Sequence, residues 1–317
     1  MSVKALPLRW KRCADTLAAG QKKRQIVRAR DSLPRPCLCG ERLLKIALIQ
    51  MNSTDDKIAN LEQARRLIET CIEKERPDWI SLPEVFSFMG GSRDDKTAAA
   101  ESFPEGPAYT LMRDLAARHS VHIHAGSMLE KIAGEERLGN TTVAFNRKGE
   151  EVARYRKIHM FDVTTPDGME YRESNAMKPG DSVVTYSCEG LTIGCAICYD
   201  LRFPALFDAL AKRGADLIAL PSAFTLQTGK DHWEVMCRAR AIETQTYFAA
   251  AAQTGQFKQG KETRFTYGHS LVADPWGLVV AKVSDGIGYT TTQIDRDLIK
   301  RVRAQIPVAQ HKVDVKP

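Results

Sequence analysis

The sequence predicts a layered α/β sandwich, in which helices cover sheets of mixed parallel and antiparallel strands. Two observations carry this prediction. Short apolar segments alternate along the chain with longer segments whose apolar residues recur at helical spacing, which is typical of strands followed by covering helices. Two pairs of apolar segments are instead joined by the short turn sequences Arg-Lys-Gly and Asp-Pro-Trp-Gly, which indicates hairpins in the same sheets.

The first half of the chain begins this pattern with a buried strand at 43–51 and a polar capping segment at 52–55. The apolar face of the helix that follows consists of Ile58, Leu61, Leu67, Ile68 and Cys71. A second strand covers 78–86 and is broken by Pro83, and a helix near 107–118 precedes a third strand at 121–129. A hairpin with its turn at Lys148-Gly149 completes this half.

The second half repeats the alternation. A strand at 191–198 is followed by a helix that ends at Gly214, and a further strand follows at 215–224. A long helix at 230–245 leads into Tyr-Phe-Ala-Ala-Ala-Ala, whose small residues suit a tightly packed central strand. The last hairpin turns at Asp-Pro-Trp-Gly.

The formal net charge of +7 is concentrated at one end of the 317-residue chain. Residues 1–40 contain ten Lys or Arg against Asp15 and Asp31, which gives this segment +8 and the remainder −1. We therefore predict a basic, flexible extension at 1–42, one folded domain at 43–312 and a short tail at 313–317. An almost neutral folded domain argues against nucleic acid as a partner. An organelle import signal, an unstructured appendage and a misassigned start site remain open for the extension.

The composition of the sequence also indicates in which cellular compartment the protein is expected. An apolar run long enough for a transmembrane helix is missing from the sequence, and the first thirty residues lack the apolar core of a secretory signal. The eight cysteines show no spacing typical of a disulfide framework, so reduced thiols are expected. Cys195 and Cys198 lie three apart on a predicted strand and point to opposite faces, so they should not pair. We expect a cytoplasmic protein that does not bind membranes.

Cys198 ends the apolar run Leu-Thr-Ile-Gly-Cys-Ala-Ile-Cys, just before Tyr199 and Asp200. Burial as a small apolar residue is the commoner fate of a cysteine. A thiol at the end of a strand can instead reach into a cleft, where a helix amino terminus and cations would lower its pKa. The nearest histidines in sequence, His159 and His232, follow no pattern that would make either one its base.

Two further predicted strand ends carry ionisable residues. Glu84 follows a buried strand and Pro83, where a charge is unfavourable unless it is used or paired, and Lys157 lies at the end of the hairpin, in YRKIHMFD. Each has a simpler explanation, since Glu84 could cap a helix and Lys157 could lie at a solvated sheet edge. Taken singly, these residues do not define a site.

In combination, the segments around these residues resemble the nitrilase superfamily of carbon-nitrogen hydrolases. The resemblance runs from about Leu44 to Gln310 and omits the basic extension. It rests on the following segments, all in family order: LPEVFSFMG, GSMLE, YRKIHMFD, GCAICYDLRFP, LPSAF, HWEVMCRARAIETQ and YGHSLVADPWG.

The resemblance implies a four-layer α-β-β-α sandwich that forms at least a dimer, and an enzyme without a cofactor or metal. It implies a triad of Glu84, Lys157 and Cys198, together with a second active-site glutamate at Glu130 of GSMLE. Cys198 would attack an amide carbonyl, with Glu84 transferring protons. Lys157 and the backbone N–H of Tyr199 would stabilise the oxyanion, and Glu130 would hydrogen-bond to Lys157 and to the substrate.

The resemblance also indicates which kind of carbon–nitrogen bond is hydrolysed. True nitrilases place Trp-Glu after the nucleophile, whereas this chain has Tyr199-Asp200, so hydrolysis of amides is expected. CYDLRFP and the late IPVAQH are most similar to amidases that act on deaminated glutathione, a 2-oxo amide. Omega-amidase activity on 2-oxoglutaramate and hydrolysis of N-carbamoyl or other aliphatic amides remain open.

Three other patterns have alternative explanations. His122 and His124 lie on one face of a strand, as in a metal-dependent amidohydrolase, but no further ligand cluster follows them. In the long helix, Arg238, Arg240 and Glu243 are interpreted as buried ion pairs or interface contacts. Arg202 is interpreted as support for the cysteine turn, with substrate contact as the alternative.

Overall fold

The structure is a computed structural model and describes residues 43–165 and 168–313. The extension predicted at 1–42 and all but the first residue of the tail predicted at 313–317 lie outside the described residues. Both therefore stay predictions. Of the helices in the described ranges, none combines the length and the apolar character that crossing a bilayer requires.

The strands, in chain order, are β1 (Leu44–Gln50), β2 (Trp79–Ser81), β3 (His122–His124), β4 (Met128–Glu130), β5 (Gly139–Phe145), β6 (Glu151–Arg156), β7 (Asp162–Thr164), β8 (Glu170–Arg172), β9 (Thr185–Cys188), β10 (Leu191–Cys195), β11 (Leu217–Ala219), β12 (Tyr247–Ala250), β13 (Thr254–Gln259), β14 (Glu262–Tyr267), β15 (Leu271–Ala273), β16 (Val279–Lys282) and β17 (Gly288–Ile294). The α-helices are α1 (Lys57–Glu75), α2 (Arg93–Ala99), α3 (Pro107–His119), α4 (Pro204–Lys212), α5 (Leu226–Thr244), α6 (Arg296–Gln305) and α7 (Val308–His311). Short 3-10 helices cover Glu173–Asn175 and Cys198–Arg202.

Two large mixed sheets form the centre of the domain. The first has the order β17-β1-β2-β3-β5-β4, with β6 paired to β5, and the second has the order β16-β15-β12-β11-β10-β9. In each sheet the three strands joined through helices are parallel, and the flanking hairpin strands are antiparallel. The hairpins β7-β8 and β13-β14 stand outside both sheets.

The layers follow from the alternation of side chains along β1. Ile46 and Leu48 belong to an apolar cluster shared with β10, β11 and β12 of the second sheet, whereas Ala47 and Ile49 belong to a cluster shared with α1 and α3. The first cluster also includes residues of α4 and α5, so helices cover the outer face of each sheet. This is the α-β-β-α sandwich that the resemblance implies.

One detail of the predicted core is wrong. Ile58, expected on the buried face of α1, is 83% exposed. It lies in the first turn of the helix, and the buried face passes instead through Asn60, whose amide donates to the carbonyls of Thr54 and Ser87. The polar Asn60 contact anchors the start of α1, which a purely apolar periodicity does not detect.

Candidate active site

The structure brings Glu84, Lys157 and Cys198 together in one cavity. Glu84 follows β2 and Lys157 follows β6, both of the first sheet, and Cys198 follows β10 of the second sheet. Chain segments that leave two facing sheets meet here, which explains how residues distant in sequence become neighbours. All three side chains are buried.

The cysteine stands on a sharp turn. Its backbone has a φ of 46°, in the left-handed region that non-glycine residues seldom adopt, and its N–H donates to the Pro221 carbonyl at 2.9 Å. A strained conformation of this kind persists only when its surroundings hold it, and such conformations cluster at functional sites. The Tyr199 N–H, one residue on, donates to no acceptor among the described residues, and Tyr199 lines the cavity.

Asp200 ties this turn to the lysine-bearing segment. Its fully buried carboxylate accepts from the Tyr155 hydroxyl at 2.7 Å, from the backbone N–H of Ile197 at 2.8 Å and from that of His159 at 3.1 Å. Tyr155 and His159 flank Lys157 in the chain. Asp200 therefore positions the thiol and the ammonium relative to each other.

The Glu84 carboxylate is held by two donors on one oxygen. Its Oε1 accepts from Lys157 Nζ at 3.1 Å and from Asn140 Nδ2 at 2.9 Å, and its backbone carbonyl accepts from Gln253 Nε2 at 2.9 Å. The Cys198 thiol lines the same cavity, and the Glu84 carboxylate is close enough to act on its ionisation. The carboxylate can therefore exchange a proton with the thiol while Oε1 stays anchored.

A second carboxylate at the site, Glu173, is one that the sequence analysis missed. Its Oε2 accepts from Lys157 Nζ at 2.8 Å and from the Phe161 N–H at 2.7 Å, and its Oε1 accepts from Asn140 Nδ2 at 3.2 Å. Glu173 lies in a polar segment without apolar periodicity, so the residue pattern gave no reason to single it out. The one signal in the sequence was that Glu173 follows Lys157 at a short distance along the chain. A hairpin between the two residues returns the chain, so position 173 comes back to the Lys157 ammonium.

Glu130 does not contact Lys157, contrary to expectation. Its carboxylate accepts from Arg156 Nε and Nη2 at 2.7 and 2.8 Å and from the Thr141 hydroxyl at 2.7 Å. In the antiparallel ladder, Glu130 is opposite Gly139 on β5, and Arg156 is opposite Thr141 on the other side of β5. The expected hydrogen bond from Lys157 to Glu130 is therefore wrong, and Glu173 occupies that place.

The ionisation of the thiol also differs from the sequence-based expectation. Burial and the adjacent Glu84 carboxylate raise the pKa of Cys198 well above its usual range, although Lys157 acts in the opposite direction. Burial opposes the charge of Lys157, but the carboxylates of Glu173 and Glu84 outweigh it and raise the pKa of Lys157 above its usual value. The resting site therefore holds a neutral thiol beside a protonated lysine.

Arg202 lies at the end of the cysteine turn and lines the cavity. Its guanidinium lies over the Phe224 ring at 5.5 Å, and its Nη2 is 3.3 Å from His232 Nδ1. Among the described residues it has no carboxylate partner, which leaves its charge available to an anion. Behind the turn, the buried Arg240 donates to the Leu201 carbonyl at 3.0 Å and pairs at 2.6 Å with Glu243, which is half-exposed, so the ion pair expected in α5 is buried on one side only.

The two histidines of β3 have structural partners away from this cavity. His122 Nε2 is 3.1 Å from Glu189 Oε1, and His124 Nδ1 is 3.2 Å from the Tyr186 hydroxyl. Burial lowers the pKa of His124 to about 3. Within the described part of the chain, no three His, Cys, Asp or Glu side chains form a group that could bind a metal ion.

The arrangement can perform nucleophilic acyl transfer. A thiol, a carboxylate within reach of its proton, and an ammonium with a nearby unpaired backbone N–H supply the nucleophile, the base and the oxyanion donors that this chemistry needs. The thiol depends on a base because its own pKa is raised. The site is thus that of a thiol hydrolase built on a layered α/β sandwich.

Comparison with known proteins is consistent with this chemistry. Residues 45–304 match the carbon-nitrogen hydrolase family. A deaminated glutathione amidase of Synechocystis sp. is 38% identical over 85% of this chain and 98% of its own length. The human deaminated glutathione amidase is 40% identical, over 84% of this chain and 81% of its own. The chain therefore belongs to the carbon-nitrogen hydrolase family and hydrolyses carbon–nitrogen bonds.

Solved structures show the same fold. The NitFhit protein of C. elegans superimposes with a TM-score of 0.78 and 36% identity, covering 85% of this chain and 65% of that protein. Nit3 of Saccharomyces cerevisiae, a member of branch 10 of the nitrilase superfamily, superimposes with a TM-score of 0.76 and 29% identity, covering 85% of this chain and 96% of the yeast protein.

Proposed function

We propose that this protein is a thiol amidase that hydrolyses a small 2-oxo amide of the deaminated glutathione type. The observation that carries the proposal is the Lys157 ammonium held between Glu84 and Glu173, next to the Cys198 thiol on a cavity wall. A protonated lysine in a buried site is stable only when carboxylates compensate it, and here one of those carboxylates also reaches the thiol.

In the first half of the reaction, Cys198 Sγ attacks the amide carbonyl carbon while Glu84 accepts the thiol proton. Lys157 Nζ and the Tyr199 N–H stabilise the negative oxygen of the tetrahedral intermediate. The C–N bond then breaks, Glu84 donates its proton to the departing nitrogen, and the acyl group remains on sulfur as a thioester.

In the second half, water attacks the thioester carbonyl and gives its proton to Glu84. The C–S bond breaks, and Glu84 returns the proton to the thiolate. The net reaction consumes the amide and one water and yields a carboxylic acid and an amine or ammonia. Glu173 keeps Lys157 charged and in place throughout both halves.

The substrate class follows from the relatives and from Arg202. Curated relatives at 38% and 40% identity bear the name deaminated glutathione amidase. Deaminated glutathione has a carboxylate on the acyl side of the scissile bond, and Arg202 offers that carboxylate a guanidinium without a carboxylate partner among the described residues, in the cavity that contains the thiol. Hydrolysis of this amide would release 2-oxoglutarate and cysteinylglycine.

We further infer that the protein forms at least a homodimer. Four exposed apolar side chains, Val235 and Ile242 of α5 with Trp276 and Leu278 of the nearby turn, form a patch of the kind found at protein interfaces. The turn rests on α5, since Arg238 Nε donates to the Gly277 carbonyl at 2.7 Å. We define these four residues as the apolar patch.

A cytoplasmic location is part of the proposal. The described cysteines, Cys71, Cys188, Cys195, Cys198 and Cys237, are all free thiols, which suits a reducing compartment. The basic extension leaves organelle import open as a variation on this location.

The function is tested by measuring amine release from deaminated glutathione and ammonia release from 2-oxoglutaramate, with wild type and Cys198→Ala. We expect turnover of deaminated glutathione to exceed that of 2-oxoglutaramate, and the variant to lose both while keeping the wild-type circular dichroism spectrum. Preference for 2-oxoglutaramate would make the protein an omega-amidase. Turnover that persists in Cys198→Ala would refute thiol catalysis.

A further inference from the structure

The cavity contains more positive charge than the proposed reaction uses. Among the described residues, its lining includes five basic side chains, Lys96, Lys157, Arg172, Arg202 and Arg264, against three acidic ones, Glu84, Glu170 and Glu173. Two of the basic side chains are matched by acidic residues of the lining itself, since Lys157 pairs with Glu84 and Glu173 and Arg172 pairs with Glu170 at 3.2 Å.

Two of the remaining cations, Lys96 and Arg264, belong to a wall of the cavity that contains the hairpins β7-β8 and β13-β14. Arg264 joins these hairpins, because its guanidinium stacks on the Tyr171 ring at 4.3 Å and its Nη2 donates to the Glu170 carbonyl at 3.3 Å. The segment before α2 is attached to the same wall by a hydrogen bond from the Gly91 N–H to the Lys258 carbonyl at 3.1 Å. The wall therefore presents its cations from ordered backbone.

Lys96 is the less compensated of the two. Its ammonium has no hydrogen-bond acceptor and no ion pair among the described residues, whereas Arg264 pairs with the half-exposed Glu262 at 2.8 Å. Burial and the nearby positive charge of Arg264 lower the pKa of Lys96, and Glu173 only partly opposes them. Lys96 therefore faces the cavity without an ion pair and close to the positive charge of Arg264, an arrangement that an anionic ligand would stabilise.

The position of this wall decides which part of a substrate it meets. Arg172 and Phe265, which line the cavity on these hairpins, are also exposed, so the wall extends to the cavity mouth. In the proposed reaction the amine leaves first while the acyl group stays on Cys198. A leaving group that faces the mouth can depart while the acyl group stays attached, and the proposed function already assigns the acyl side to Arg202.

We propose that Lys96 and Arg264 form a second anion subsite, which binds a carboxylate carried by the amine leaving group. This inference rests on the proposed function and narrows its substrate class to amides with two carboxylates, one on each side of the scissile bond. Deaminated glutathione has both, the second on its glycine residue. 2-Oxoglutaramate has only the carboxylate on the acyl side and leaves the subsite empty.

The test compares Lys96→Gln with Arg93→Gln, a matched control that removes one positive charge from an exposed position of the same helix, outside the cavity lining. For deaminated glutathione, we expect Lys96→Gln to raise KM about tenfold with little change in kcat, as loss of one charge-assisted contact predicts. For 2-oxoglutaramate, KM should stay at the wild-type value. Arg93→Gln should change neither, and Lys96→Arg should restore most of the loss.

A substrate analogue provides an independent measurement. Deaminated glutathione whose glycine carboxylate is replaced by a carboxamide should show a raised KM with wild type and no further rise with Lys96→Gln. An equal rise of KM for deaminated glutathione and 2-oxoglutaramate in Lys96→Gln, or no rise for either, would overturn the subsite. If wild type releases amine or ammonia from neither 2-oxo amide, the proposed function itself fails and this inference fails with it.

Discussion

Lys157 Nζ lies 2.8 Å from Glu173 Oε2 and 3.1 Å from Glu84 Oε1, so one buried ammonium joins two carboxylates on the wall of the cavity. Asn140 Nδ2 donates to both carboxylates and holds them in the same arrangement. The two glutamates are not equivalent, because Glu84 acts on the thiol and raises its pKa, whereas Glu173 is fixed by the Phe161 N–H. This asymmetry suits proton transfer by Glu84 and positioning by Glu173.

We predict that Glu173→Gln lowers kcat for deaminated glutathione about 100-fold or more, because Lys157 loses the carboxylate that orients its charge towards the oxyanion. Rapid-quench or steady-state amine release measures kcat, and thermal unfolding checks that the fold persists. Alkylation of Cys198 by iodoacetamide should still occur, because the nucleophile remains in place.

Glu130→Gln is the matched comparison, since it makes the same change at the position that the sequence analysis had favoured. It should lower the free energy of unfolding by about 2 kcal/mol, because the partly exposed Arg156 loses the charge of its buried partner, and leave kcat within a few-fold of wild type. A Glu130→Gln variant of normal stability and abolished kcat, beside an active Glu173→Gln variant, would reverse this assignment.

The raised pKa of Cys198 predicts that this residue is a neutral thiol, not a thiolate, in the resting enzyme near neutral pH. The ultraviolet absorbance of thiolate, taken as wild type minus Cys198→Ala, should stay flat between about pH 6 and about pH 9, where a free cysteine titrates. The subtraction removes the signal of the other cysteines. A difference signal that rises with a midpoint below about pH 8 would show that Lys157 outweighs burial and Glu84.

The buried, neutral His124 predicts a specific acid sensitivity. Its pKa is lowered from the ordinary value near 6.5 to about 3 by burial, so the unfolded chain binds a proton that the folded chain does not as pH falls through this window. The free energy of unfolding is thus highest above about pH 6.5 and falls on acidification. His124 contributes about 1.4 kcal/mol per pH unit to this fall. In His124→Phe, the free energy of unfolding measured with urea should therefore fall less steeply on acidification than in wild type, by the amount of that slope. Parallel profiles for the two proteins would argue against a neutral His124.

The apolar patch predicts the oligomeric state. Multi-angle light scattering of wild type should give at least twice the chain mass of 35.3 kDa. Trp276→Glu places a charge at a side chain that is 57% exposed in the single chain and should yield monomers without unfolding them. A monomeric wild type would refute the dimer, and dimers that persist in Trp276→Glu would place the interface elsewhere.

Features that depend on neighbours in sequence were predictable from the sequence. Apolar periodicity predicted the alternation of strands and helices, and the ordered motifs around Glu84, Lys157 and Cys198 predicted which strand ends carry reactive groups. The structure places these three residues in one cavity. The end of a strand is a local event, marked by a change from apolar to polar or turn-forming residues, and the choice of these three residues came from the resemblance of their segments to the family.

Tertiary structure alone decided which groups face one another. The sequence contains Glu130 and Glu173 as similar carboxylates, and only the register of β4, β5 and β6 directs Glu130 to Arg156 while the returning hairpin brings Glu173 to Lys157. The pKa of Cys198 is likewise set by burial and by Glu84, which is more than a hundred residues away along the chain. Desolvation and charge pairing depend on distances in space, and a local residue pattern does not contain those distances.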